Sequence, residues 1–392
     1  MYISVNGFQL PREIERDSDY VKDLHAYLET YKKYVCSELI GQAQSVENIE
    51  KNIEVNIQLI EECLSEYFKD NVSKAYTAIK NLLTKYISKE NGTPFIVATL
   101  NSNYAFRGSA PKEIRSSIYS KCDTMYEEML NHELTFFRAR IAKENIKGKD
   151  MLHIPFDKRE IIKTQRFSIS GIPCIYLSTS SYGCWIEMNR PDSKLFQVSS
   201  IKIPTDIKVL NLCIQQNLIN GKMAVIRNTK EWREAIQCLE IFPLVIATSY
   251  YVKQNDRSFK SEYIIPQIVM QVCGELGING IAYLSKKVED EYAYPYAVNL
   301  AIPIPSNDCS EYWDRIDDVE ITEPVRFSDF LSEEGENKKS RKKYLSYSSE
   351  IYKDNHSNKI WLEEEAKKYI ETEYAAFDEY VLEQEFTKFT QL

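Results

Sequence analysis

The residue types that could do chemistry crowd into one stretch, Gln165 to Glu187, which reads QRFSISGIPCIYLSTSSYGCWIE. It joins Arg166, a turn at Gly171 and Pro173, a short apolar run and Glu187. A carboxylate in such apolar company belongs to a site or faces solvent, and the pattern alone leaves the two even. Upstream, Leu134 to Ile141 reads LTFFRARI and carries Arg138 and Arg140 two residues apart, so a strand would point both the same way. Planar guanidinium groups suit anions, and a carboxylate suits a developing positive charge. Other chemistries lack their spacing. The nine Cys, at 36, 63, 122, 174, 184, 213, 238, 273 and 309, form no CxxC, and there are four His, so no metal site is expected. Neither GxGxxG nor GxxxxGK[ST] occurs.

Those residues need elements to hold them. Phe167 and Ile169 alternate with Ser168 and Ser170, which predicts a strand. Cys174 to Leu177 predicts a second, buried strand. Ser178 to Ser181 is a cluster that caps helices, and Cys184, Trp185, Ile186 and Met188 then suit a helix packed on a sheet with Glu187 among them. Before this region the chain reads as helical. Val21, Leu24, Leu28, Tyr31 and Val35 recur at helical spacing. Val46, Ile49, Ile53, Ile57, Ile60, Leu64 and Tyr67 form a second stripe, and Val72, Tyr76, Ile79, Leu83 and Tyr86 a third. Asn91-Gly92 marks a break, Phe95 to Leu100 a short strand, and Ile114, Ile118, Cys122, Met125 and Met129 a fourth helix. These stripes read as the core of a helical bundle. After the central stretch, Leu195 to Ile203 and Ile207 to Leu212 are β-rich. Trp232 to Ile246 mixes both signals, and Tyr263 to Leu276 is helical. Ile278 to Leu284 and Tyr296 to Ile304 predict two late strands. Strands alternating with short helices from 134 to about 305 argue for one α/β or α+β domain.

A chain of 392 residues has room for two or three domains. Its net charge of -9 argues against bulk attraction to nucleic acid or an anionic membrane. The N-terminus has no signal-peptide pattern and no apolar run approaches a membrane span. The cysteine usage fits a reducing compartment, so a cytoplasmic protein is expected. After Pro305 the chain turns polar. Ser332 to Ser349 holds an EEGE run and a KKSRKK run and reads as a solvated linker. Leu362, Ala366, Tyr369, Tyr374, Phe377 and Tyr380 predict one or two C-terminal helices that pack on the body or on a second subunit.

Five motifs in order resemble the RES domain, named for its Arg, Glu and Ser. They are Phe137-Arg138-Ala139-Arg140; His153-Ile154-Pro155-Phe156 leading to Gln165-Arg166-Phe167-Ser168; Gly171-Ile172-Pro173-Cys174-Ile175-Tyr176-Leu177; Cys184-Trp185-Ile186-Glu187; and Gly280-Ile281-Ala282-Tyr283-Leu284-Ser285 with Asn299-Leu300-Ala301-Ile302-Pro303. The resemblance spans about 170 residues, and the stretch from Glu187 to Ser285 is long for a small member. It implies an ADP-ribosyltransferase-like split-sheet domain over 131-310; outside it, periodicity and charge give a helical domain over 1-130 and an acidic linker with a helical tail over 311-392, so the chain as a whole is expected to be α+β. It further implies a bacterial toxin that consumes NAD+ by phosphorolysis or hydrolysis, usually paired with an antitoxin. NAD+ would be the substrate and inorganic phosphate a co-substrate. The helical regions leave room for a homo-oligomer.

On that resemblance, Glu187, Arg166 and Ser285 are the expected catalytic residues. Arg138, Tyr176 and Arg140 are expected to bind the dinucleotide, Arg140 as the rival to Arg138. Breaking the nicotinamide bond builds oxocarbenium character on the ribose, which a carboxylate such as Glu187 would steady. Arg138 and Arg166 would grip the diphosphate, Tyr176 would line the nicotinamide pocket, and Ser285 would fix Glu187 or the ribose. Each has a plainer counterpart: a surface strand Arg, an ion-pair Arg, a core Tyr, a turn Ser, a solvated Glu. Ser261 rivals Ser285, and Glu262 is a further carboxylate. His153 reads as structural, and Arg107 stays unassigned. Two other functions remain open: mono-ADP-ribosylation of a macromolecule, and a non-catalytic module that binds a nucleotide or partner.

Overall fold

The computed structural model describes residues 9–16, 19–36, 46–87, 96–106, 134–214, 230–254, 257–305, 312–332 and 359–391. The expected helix through Ile114 and Met129, Arg107 and nearly all of the charge run after Ser332 lie outside the described residues. The architecture mixes α and β. The longer α-helices are α1 Tyr20–Tyr34, α2 Val46–Phe68, α3 Val72–Thr84, α4 Ser181–Glu187, α5 Lys230–Ala247, α6 Ile264–Glu275 and α7 Glu373–Leu382, with shorter ones at Asp290–Ala293 and 327–332. Strands are β1 Arg12–Glu13, β2 Val97–Thr99, β3 Phe136–Ile141, β4 Cys174–Ser178, β5 Phe196–Lys202, β6 Lys208–Leu212 and β7 Tyr250–Tyr251. They continue with β8 Gly280–Leu284, β9 Val298–Pro303, β10 Glu320–Thr322, β11 Val325–Arg326, β12 Lys359–Leu362, β13 Glu365–Lys368 and β14 Phe386–Lys388.

Two compact units form, each drawn from distant parts of the chain. The helical unit comprises Met1–Ala98, Lys163–Ser170 and Lys208–Glu291. Its core lies among α1, α2, α3, α5 and α6. Most of the stripes read from sequence are buried there, but Val21 and Val72 are 40% and 49% exposed, and Tyr20 in α1 and Ala75, Ala78 and Leu82 in α3 are buried in their place. In α1 the tyrosines decide the buried face, because their hydroxyls reach backbone carbonyls. Tyr20 donates to Ala247 O at 3.0 Å and Tyr31 to Leu239 O at 2.6 Å, which satisfies polar tips inside an apolar face. Trp232 to Ile246, ambiguous in sequence, is helical, and Pro243 inside α5 accounts for the mixed signal. Parallel β6 and β8 pair from Val209↔Gly280 to Leu212↔Tyr283. The strand expected at Phe167 and Ile169 does not form. Ser168 Oγ accepts from Gln165 N–H at 2.8 Å and donates to Gln165 O at 2.9 Å, folding the segment into a turn. Phe167 is then buried against Tyr283, ring centres 4.8 Å apart.

The strand-rich unit comprises Thr99–Ile162, Gly171–Ile207 and Tyr292–Leu392. Its strands run β14-β10-β5-β3-β4-β9, with β11 also beside β5. β3 pairs β5 along its length, from Phe136↔Ile201 to Ile141↔Phe196. β4 pairs β9 along its length, from Cys174↔Pro303 to Ser178↔Asn299. Between those two ladders the register joins β3 to β4 at one pair, Phe137↔Ser178. The sheet therefore parts beyond that point.

The C-terminal segment differs from the helices expected of it. Over residues 359–391 only α7 is α-helical. β12 and β13 form a hairpin, and β14 pairs with β10 from Glu320↔Lys388 to Thr322↔Phe386. The hairpin turns on Glu363 and Glu364, at φ 53° and 65°. A two-residue turn with both φ positive matches the twist of a hairpin, but Asn-Gly is its usual signature. Two glutamates give no such signal, and Leu362, Ala366 and Tyr369 happen to fall at helical spacing.

Candidate active site

Glu187 is the last residue of α4, so the site in the strand-rich unit begins with why α4 stands there. Ser180 Oγ caps it by accepting from Gly183 N–H at 3.0 Å and itself donates to Tyr296 O. Gly183 lets α4 lie close: a Cβ there would fall 2.1 Å from Ser178 Oγ, 2.9 Å from Tyr296 O and 3.2 Å from Ala297 Cα. Two of those atoms are backbone and cannot swing aside. Gly183→Ala should therefore lift α4 from β4 and cost about 1–3 kcal/mol of stability, measured as a lower urea midpoint at unchanged slope. Beyond Glu187 the chain reverses through Asn189 and Arg190 at φ 63° and 54°.

Glu187 is half-buried. Its Oε1 accepts from Asn299 Nδ2 at 2.7 Å. Asn299, 3% exposed on β9, was not singled out from sequence, although a lone amide in the apolar run VNLAIP was a visible signal.

Arg138 lies at the parting of β3 and β4. Its Nη1 donates to Tyr176 O at 3.1 Å and its Nη2 to Leu152 O at 3.1 Å. Arg140 donates to the same Leu152 O at 2.8 Å and to Asp150 O at 3.2 Å. Both guanidiniums are thus anchored on neutral carbonyls, and among the described residues no carboxylate pairs with either. Burial presses the Arg138 pKa down, and the neighbouring Arg140 charge adds to this. Arginine nonetheless stays charged. Arg138 Nε is buried with no hydrogen-bond partner among the described residues. The Cys184 thiol, pushed up by burial, lies within electrostatic reach of both Arg138 and Glu187. Tyr176 is half-buried on β4.

Asp378 on α7 ties the C-terminal segment to α4. It accepts from Ser181 N–H at 2.9 Å and from the Tyr369 hydroxyl. Tyr182 O–H donates to Trp361 O at 2.8 Å, and Tyr374 packs on Tyr182 and Trp185 at 5.6 and 5.3 Å. Burial raises the Asp378 carboxyl from 3.8 to about 7, against the pull of its Ser181 and Tyr369 bonds. The folded state thus holds this proton more tightly than the unfolded chain. Its stabilising effect is complete below the unfolded value and is lost as pH rises from about 4 to about 7. Asp378→Asn keeps the Ser181 bond at Oδ1, meets the Tyr369 hydroxyl by donating from Nδ2, and removes the titration. The mutant's melting temperature should gain on the wild type's between pH 5 and pH 8.

The remaining expected residues belong to the helical unit. Arg166, half-buried, donates from Nη1 to Thr248 O at 3.1 Å and from Nη2 to Tyr250 O, with Cζ 5.3 Å from the Tyr263 ring centre. It too has no carboxylate partner among the described residues. Ser285 is fully buried at the end of β8, where its Oγ accepts from Lys287 N–H at 3.3 Å. Ser261 is buried, and Glu262 is engaged by Arg257 Nη2 at 2.6 Å. In the strand-rich unit, His153 accepts from Trp313 N–H at Nε2 and contacts Ile154 O through Nδ1, and burial holds its pKa down. That is a structural role. Among the described residues no cluster of three metal-ligating side chains forms, and no helix is long and apolar enough to cross a membrane.

No protein-family model matches the chain. It is 34% identical over 208 residues to a protein of Bacillus subtilis (strain 168) named "Putative toxin YopC", covering 50% of this chain and 47% of that one. The chain thus spans about half the length of the curated relative it matches. Among solved structures, the M. tuberculosis MbcT-MbcA toxin-antitoxin complex matches at 16% identity and a TM-score of 0.26, over 51% of this chain and 87% of that one. So loose a superposition does not bear on the fold or the site.

Proposed function

We propose that the protein is an NAD+-degrading toxin that breaks the nicotinamide–ribose bond, with phosphate or water as acceptor. One observation carries this reading: the strand-rich unit holds a half-buried carboxylate, Glu187, oriented by a buried amide, and a buried guanidinium, Arg138, anchored on neutral carbonyls, with the Cys184 thiol in electrostatic reach of both. A buried cation without a counter-ion is costly, and a bound anion such as a diphosphate would relieve it. The kinship with a protein named as a toxin supports the toxin part, and an antitoxin is the partner such a protein would need inside its own cell.

In the proposed reaction the C–N bond to nicotinamide breaks, and its electron pair goes to the ring nitrogen. Nicotinamide leaves neutral, so no strong acid is required. Glu187 steadies the positive charge left on the ribose or holds a ribose hydroxyl. An oxygen of phosphate or water then bonds to the ribose carbon, and water gives up a proton to solvent. Arg138 and Arg140 supply positive charge for the diphosphate, and Tyr176 lines the nicotinamide. Arg166 and Ser285 keep the roles that the RES resemblance implies, an anion contact and a hydroxyl donor.

The test is to incubate purified protein with NAD+, with and without phosphate, and to follow nicotinamide. Release that yields ADP-ribose or its 1-phosphate supports the proposal. Transfer of label to a protein or nucleic acid would make the acceptor a macromolecule. Binding without any release would leave a non-catalytic module.

A further inference from the structure

Arg166 is held in an unusual way. Its two acceptors straddle a junction: Thr248 O lies in the turn that ends α5 and Tyr250 O opens β7, so the guanidinium spans the passage from helix to strand. The N-terminus pairs with the same segment: β1 runs parallel to β7, with Arg12↔Tyr250 and Glu13↔Tyr251 in register, and Arg12 N–H donates to Ser249 O at 2.8 Å.

α1 fixes the same segment from its start. Tyr20 O–H donates to Ala247 O, and the Tyr20 ring meets the Tyr250 ring edge-on, centres 4.9 Å apart. β1 is itself tied to α1. Arg12 Nη2 pairs with Asp23 Oδ2 at 2.6 Å, its Cζ lies 4.4 Å from the Tyr27 ring centre, and Tyr27 O–H donates to Gln9 O at 3.1 Å. Thr248 is anchored independently, its Oγ1 donating to Leu244 O and Val245 O at 2.9 and 3.1 Å. The two carbonyls that aim Arg166 thus belong to a backbone clamped by the end of α5 and by residues 9–31.

We propose that β1 and α1 are a brace that positions Arg166 for an anion, with Tyr20 and Arg12 as positioning residues. This rests on the reading of Arg166 as an anion contact, and it gives the N-terminal helix a part in binding. Arg12 and Tyr20 touch no substrate. They set the direction of the guanidinium by holding the Ala247 to Tyr251 backbone in line.

The test uses the full chain and inorganic pyrophosphate as the probe, with binding measured by calorimetry in wild type, Tyr20→Phe, Arg166→Ala and the double variant. Tyr20→Phe keeps the ring contact and loses the bond to Ala247 O. It should weaken pyrophosphate binding about three- to tenfold, and the same change should do nothing once Arg166 is Ala, since residues that act through one shared backbone segment couple. Equal affinity of Tyr20→Phe and wild type, or an undiminished effect in the Arg166→Ala background, would overturn the proposal. So would a wild type that does not bind pyrophosphate through Arg166. Should Tyr20→Phe not fold, Arg12→Ala, which removes the ties from β1 to Asp23 and the Tyr27 ring, is read the same way. Nicotinamide release is scored separately. A protein that binds pyrophosphate through a Tyr20-dependent Arg166 yet leaves NAD+ intact would sink the enzymatic reading and spare the brace.

Discussion

Glu187→Gln should lower nicotinamide release on the order of 10²- to 10³-fold while leaving the fold in place. The argument is one of charge at constant shape. Gln retains an Oε1 that can accept from Asn299 Nδ2, now 2.7 Å from the carboxylate. α4 keeps its cap at Ser180 and its bond to Asp378, neither of which touches residue 187. The lost quantity is the negative charge, which counts only when the ribose turns positive. The loss should therefore fall on kcat, with KM for NAD+ little changed. The melting temperature should move by no more than a surface substitution moves it, within about 0.5 kcal/mol. Wild-type turnover in this variant would remove Glu187 from the chemistry, because its negative charge would be gone.

What the chain disclosed before folding, and what it withheld, follows a physical division. Short-range periodicity was legible: the stripes of α1 to α3, the buried runs of β4, β8 and β9, and a serine cluster that does cap α4 through Ser180. Arg138 and Arg140 could be placed on one face because a strand has period two, and they meet at a common acceptor, Leu152 O. Long-range pairings left no local mark. Asp378 reaches Ser181 across 197 residues, and nothing in the sequence around either names the other. Gly183 looked like an indifferent helix residue until the approach of Ser178 and Tyr296 gave it a reason. Asn299 was quoted within a motif but carried no role, since its meaning depends on facing Glu187. The acceptors of the three arginines are backbone carbonyls, which every residue possesses, so composition could not distinguish them from acid partners. The hairpin at Glu363 and Glu364 was misread because its left-handed turn uses residues that seldom adopt it.

Arg138 offers the sharpest separation between a structural tie and a binding charge. Arg138→Met keeps comparable length and apolar bulk but removes the fork that reaches Tyr176 O and Leu152 O across the parted strands. Two opposing effects then act on stability. Two carbonyls lose a donor, costing about 1–3 kcal/mol each if left unsatisfied, although Leu152 O keeps its bond from Arg140. Against this, a buried charge with no acid beside it disappears, which is favourable. Stability should fall by a modest amount. Binding has no such compensation. A diphosphate near the parted strands would lose the buried positive charge of Arg138, and a charge-assisted contact is worth about 1.5–3 kcal/mol. KM for NAD+ should accordingly rise about ten- to a hundredfold, with a smaller change in kcat. Arg138→Lys should fall between, since an ammonium keeps the charge but cannot hold both carbonyls in a planar fork. If Arg138→Met loses stability while KM stays at the wild-type value, the guanidinium is only a strut between β3 and β4. The anion would then have to be gripped without it.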